Sequence, residues 1–96
     1  MDFHERITLY IEVLREWGIE NQVLMVMEEA GELLSALGKA HRGRASSEEI
    51  ITELADVAIM VEQMAVYFGL SDFRDEKDKK LVRLRQRLES YKKQMR

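Results

Sequence analysis

A carboxylate in the middle of an apolar helical stripe limits how this chain can fold. Ile50, Leu54, Val57, Val61, Met64 and Phe68 recur at helical spacing, and Glu53 falls inside their stripe, between Val57, Met60 and Met64. Asp56 borders the same stripe next to Met60. Burying an unpaired carboxylate is costly, so a buried acid is normally paired or coordinates a metal. Whatever packs on this helix has to supply Glu53 with a partner.

The preceding helix carries a second acidic cluster. Its main apolar stripe is Val23, Val26, Met27, Ala30, Leu33, Leu34 and Leu37, and Glu29 lies just off the edge, with Met25, Ala36 and Ala40 as neighbours. The clusters are Glu28-Glu29-x-x-Glu32 and Glu53-x-x-Asp56. Spacings of three or four residues stack side chains on one side of a helix, so two such helices packed together could bring four carboxylates into one volume. Two carboxylates about 4 Å apart repel by roughly 4 kcal/mol at an effective dielectric near 20. A converging set therefore takes up protons or binds a cation, and a solvated acidic face is the alternative. Lys39, Arg42 and Arg44 sit at the far end of the helix and in the loop after it, which leaves a hard divalent cation, Mg²⁺ or Mn²⁺, as the better partner for carboxylate oxygens.

Glu28-Glu29-x-x-Glu32, a connector of about twenty residues and Glu53-x-x-Asp56, with Ala30-Gly31 between the acids and Leu33 after them, resembles the signature of the MazG-like, all-α nucleoside triphosphate pyrophosphohydrolases. The similarity covers roughly residues 17 to 88. It implies Mg²⁺-dependent hydrolysis of the α–β phosphate bond of a nucleoside triphosphate, with Glu29, Glu32, Glu53 and Asp56 as metal ligands. Glu28 occupies the first motif position and is the obvious carboxylate to accept the proton of an attacking water. Lys80-Leu81-x-Arg83-Leu84-x-x-Arg87-Leu88 resembles the basic helix that follows the core in short MazG-like proteins, which assigns Lys80, Arg83 and Arg87 to the substrate's phosphates. Gln22 lies two turns before Glu29 on the same face, where it could contact a substrate base or face solvent.

The remaining chain reads as helices throughout. Phe3, Ile7, Tyr10, Leu14 and Trp17 form a narrow seam on a first helix that Gly18 ends, with Trp17 as a core anchor. Asn21 is the expected cap of a second helix running to about His41. Gly31 and Gly38, unfavourable inside a helix, are expected where another backbone or a ligand comes close. Arg42 and Arg44 lie in a short basic connector that reads as a solvated loop or as a phosphate contact. Ser46 with Glu49 forms a capping box for a third helix that Gly69 ends. Ser71 or Asp72 can cap a fourth, spanning about 72–94. Its seam of Leu81, Leu84, Leu88 and Tyr91 is expected to dock while its basic face stays open.

Ninety-six residues without proline, 46% hydrophobic, describe one all-α domain, residues 1–96, with a modest core. Apolar residues also occur off the main stripes, so a four-helix bundle completed by oligomerisation, as a dimer or a dimer of dimers, is expected. Charge is uneven. Residues 1–73 hold 5 basic and 14 acidic side chains, a balance of −9, while residues 74–96 hold 10 and 4, a balance of +6. With a net charge of −3 and no aromatics interleaved among the basic residues, nucleic acid is the least favoured use of that basic face. Absent cysteines, a charged start MDFHER and no apolar run longer than Val23 to Met27 point to a cytoplasmic, non-membrane protein. A di-iron bundle expects Glu-x-x-His motifs, and neither His4 nor His41 lies three residues after a glutamate. A non-catalytic helical interaction module is the stronger rival to hydrolysis.

Overall fold

Two of the three connections between helices are single glycines. In the computed structural model, which describes residues 1–95, α1 (Phe3–Trp17), α2 (Ile19–His41), α3 (Ser47–Phe68) and α4 (Leu70–Gln94) follow one another, with no strand among the described residues. Gly18 (φ 82°) and Gly69 (φ 140°) each end one helix and begin the next. Both take a backbone conformation that side-chain-bearing residues rarely adopt. Their N–H groups donate to the carbonyls of Leu14 and Ala65, closing the last turns of α1 and α3.

Because each glycine serves both helices, the expected side-chain caps are displaced. α2 starts two residues before Asn21, whose amide instead donates to the Trp17 carbonyl at 2.7 Å. α4 likewise starts before Ser71 and Asp72, which lie in its first turn. Ser46 does cap α3: its hydroxyl accepts from the Glu49 N–H at 3.2 Å.

The short connector between α2 and α3 folds them into an antiparallel hairpin, the most extensive packing in the chain. α1 lies mainly against α3, and Tyr10, only 3% exposed, fixes it there. The Tyr10 hydroxyl donates to Glu62 Oε1 at 2.8 Å, and Arg6 pairs with Glu62 Oε2 at 3.4 Å. Burial and the neighbouring Glu62 carboxylate both push the Tyr10 hydroxyl above its ordinary pKa.

The core is small. Tyr10, Met60 and Ala65 are its buried apolar members, and Gln22 and Gln63 are buried beside them. Trp17 is 62% exposed and not a core anchor; it closes α1, where too few helices meet to cover its ring. The expected single stripe on α2 divides in two. Val23, Val26, Ala30 and Leu33 are half-buried, whereas Met27, Leu34 and Leu37 are exposed. Met27 and Leu34 share their open side of the helix with Leu24 and with Gly31, beside which nothing approaches within 4 Å. No backbone of the same chain therefore uses the glycine gap.

α4 departs most from expectation. Its backbone comes close to α3 alone among the described helices, and the Arg74 guanidinium reaches the Phe3 ring of α1 at 4.8 Å. Leu81, Leu84, Leu88 and Tyr91 are each more than half exposed, so among the described residues the seam expected to dock is left open, because neither α1 nor α2 packs alongside it. The accessible surface is 7923 Å², against about 5,700 Å² for a compact monomer of this mass. The radius of gyration is 16.9 Å, against about 12.5 Å for a compact chain of this length. No helix among the described residues is long and apolar enough to cross a membrane.

Candidate metal centre

The α2–α3 hairpin brings both acidic clusters to one level. Glu29 from α2 and Glu53 and Asp56 from α3 each offer a carboxylate oxygen, and the three oxygens lie within 4.8 Å of one another. All three residues are half-buried. Antiparallel pairing explains the meeting: Glu29 faces Asp56 across the seam, and one turn further along α2 Glu32 comes level with Glu53, one turn earlier on α3. Glu32 is more exposed and lines a cleft of about 280 Å³ with Glu53, Ser35, Lys39 and Glu49.

Two oxygens in this cluster, Glu29 Oε2 and Glu53 Oε2, are sealed from solvent and have no hydrogen-bond partner among the described residues. The ion pairs among those residues are Arg6–Glu62 and Lys80–Glu76, so no lysine or arginine stands within ion-pair distance of Glu29, Glu53 or Asp56, although Lys39 lines the neighbouring cleft. The consequence is visible in the acidities. Desolvation raises the Glu29 pKa above its ordinary value, and the charges of Glu32, Asp56 and Glu53 raise it further. Desolvation likewise raises Glu53, with Glu32 and Asp56 adding to it.

An all-oxygen set from two rigid helices, with buried oxygens lacking donors, suits a hard divalent cation. Glu29, Glu53 and Asp56 fit that role, with Glu32 beside them. Glu28 is exposed and lies outside the converging set. Gln22 does not face solvent; it is 5% exposed, two turns from Glu29. Lys80, Arg83 and Arg87 lie on the exposed part of α4, which does not approach α2. The chain therefore does not bring them to its own acidic cluster. Gln63, also buried, was not singled out by the sequence, although it follows Asp56 by the same seven residues that separate Gln22 from Glu29.

The raised pKa values of Glu29 and Glu53 give a signed expectation. A carboxyl group whose folded pKa exceeds its unfolded value stabilises the fold while protonated, and that contribution is lost as pH rises through the folded pKa. The metal-free protein should therefore lose this stability as pH climbs above 4.5, the ordinary value for both glutamates. Mg²⁺ or Mn²⁺ should restore it, raising Tm at neutral pH by on the order of 10 °C at a hundredfold excess over Kd and by less in acid. Melting curves at several pH values with and without metal test this; a Tm indifferent to metal at neutral pH would contradict it.

Compared with known proteins, the chain matches no family model, no curated protein and no solved structure.

Proposed function

We propose that this chain is a Mg²⁺-dependent nucleotide pyrophosphohydrolase of the MazG-like kind, cleaving nucleoside triphosphates to monophosphate and pyrophosphate. The observation that carries the reading is the convergence of Glu29, Glu53 and Asp56 within 4.8 Å, with two buried oxygens that lack partners. The order and spacing of the motif residues narrow the reaction from metal binding in general to this class.

Glu29, Glu53 and Asp56, with Glu32, hold the ion from two helices whose mutual packing fixes their separation. A Mg²⁺ ion held there would supply charge neutralisation for phosphate oxygens and would favour deprotonation of the attacking water. A water oxygen forms the new bond to phosphorus as the bridging P–O bond breaks, and pyrophosphate leaves. The proton passes to a carboxylate that is not committed to the ion, and Glu28, one residue from the cluster, takes this role. No serine, cysteine or histidine is grouped for covalent attack, which favours direct hydrolysis. Lys80, Arg83 and Arg87 meet the phosphates from a second copy of the chain, since α4 turns away from its own acidic seam.

A panel of nucleoside triphosphates with Mg²⁺, analysed for phosphorus-containing products, tests the reaction. Pyrophosphate and monophosphate are expected. Orthophosphate with a diphosphate would contradict the bond assignment. The exposed apolar residues along α2 and α4 favour one other reading, a non-catalytic interaction module, for which neither turnover nor a metal-dependent Tm is expected.

A further inference from the structure

Two turns from the acidic cluster, the same helical seam opens into a groove of about 630 Å³. Tyr10, Trp17, Met25 and Met60 give it apolar walls, and Gln22 and Gln63 also line it. Both glutamines are 5% exposed, and Gln63 Oε1 is buried with no hydrogen-bond partner among the described residues. Closing such a groove with apolar side chains would leave buried amide groups unpaired, which is unfavourable. A ligand that is flat and apolar on its faces and polar along one edge would satisfy it.

The position adds a constraint. Gln22 precedes Glu29 by seven residues on α2, and Gln63 follows Asp56 by seven on the antiparallel α3. Each amide thus stands about 10 Å along the helix axis from the acidic cluster, a separation a nucleotide spans between its base and its 5′ phosphate. A primary amide presents a donor and an acceptor side by side, the pattern that reads base edges in pairs. Half a turn about the last torsion exchanges which end it offers. Aromatic and methionine side chains suit contact with the faces of a ring.

We propose that this groove recognises the nucleobase, with Gln22 and Gln63 as its specificity-determining residues. The inference rests on the reading that the acidic cluster binds the phosphate end. It extends that reading by making the enzyme selective among bases through hydrogen bonds to the base edge, since a site built on buried polar groups rejects rings that leave them unpaired.

The chain's one tryptophan, Trp17, sits on the groove, which allows a test independent of turnover. The full chain is titrated with adenosine, guanosine, cytidine and uridine, without phosphate or metal, following Trp17 fluorescence. At least one nucleoside should change the emission, with a spread of about tenfold or more in Kd across the four. Gln63→Leu should weaken the preferred nucleoside roughly 10- to 100-fold and flatten the ranking. Should that variant lose its helical circular dichroism, Gln22→Leu takes its place and is expected to weaken the preferred nucleoside and flatten the ranking by a similar factor. No response to any nucleoside, as when a second copy fills the groove, would overturn the proposal, and so would equal affinity for all four. Ranked nucleoside binding without pyrophosphate release would uphold the groove while removing the hydrolase reading. Pyrophosphate release with no nucleoside ranking would do the reverse.

Discussion

Glu53→Gln should abolish metal-dependent turnover while making the metal-free protein more stable. Glutamine keeps the size and shape of the side chain but removes a charge that burial and the nearby Glu32 and Asp56 disfavour. In the absence of metal the fold is relieved of that charge, so Tm at neutral pH should rise. Loss of a ligand from the converging set should weaken the ion's hold and lower kcat/KM by at least about 10³-fold, because metal stabilisation of developing phosphate charge contributes several kcal/mol. Glu48→Gln, in the exposed first turn of α3, serves as the control and should change neither quantity appreciably. A Glu53→Gln protein that turns over normally would remove Glu53 from the mechanism. One that loses both activity and stability would mean that the carboxylate holds the hairpin together and is not a strained functional group.

Leu34→Asp should abolish self-association of the chain. Leu34 is 71% exposed and shares an open side of α2 with Leu24, Met27 and Gly31. The glycine leaves room for another helix to approach closely, and the surface in excess of a compact monomer is of the size that stable association removes from water. We infer that two copies pack across this face. A symmetric pairing places every substitution in the interface twice. A central apolar residue worth about 2 kcal/mol in each copy then raises the dimer dissociation constant by about 10³-fold. Sedimentation at micromolar concentration should show the wild-type chain as a dimer or larger and the variant as a monomer. A wild-type monomer that unfolds cooperatively, or a Leu34→Asp protein of unchanged mass, would contradict the pairing. Association also bears on the site. Each acidic body has a balance of −9 over residues 1–73, whereas residues 74–96 carry +6. Neighbouring copies can bring the two together.

The acidic cluster was more legible in the sequence than the packing around it. Glu53 stood out because a helical wheel places it among Val57, Met60 and Met64, and the hairpin does bring it to Glu29 and Asp56. The Ser46 cap and the glycine stops were equally readable, because each depends on a few neighbouring residues. What misled was anything depending on which surface covers which. Met27 and Leu34 are apolar like Val26 and Leu33, and a wheel alone does not distinguish a face buried within one chain from a face left open. Trp17 was assigned to the core for the same reason, and the α4 seam was assigned a partner that its own chain does not provide. Asn21 has the chemistry of a cap, but Gly18, shared by α1 and α2, had already started the helix. Gln63 escaped notice because a lone glutamine on a helix is ordinarily solvated; only its alignment with Gln22 across the hairpin gives it meaning.

The central claim is that this acidic seam holds a divalent cation. It is tested most directly by titrating the metal-free protein with Mn²⁺ and following the free ion by electron paramagnetic resonance, in the wild-type chain and in Glu29→Gln/Glu53→Gln. The account expects saturable, stoichiometric uptake by the wild type, displaced by Mg²⁺, and its loss in the double variant with helices retained. Uptake unchanged in the double variant, or none in the wild type at neutral pH, would contradict it.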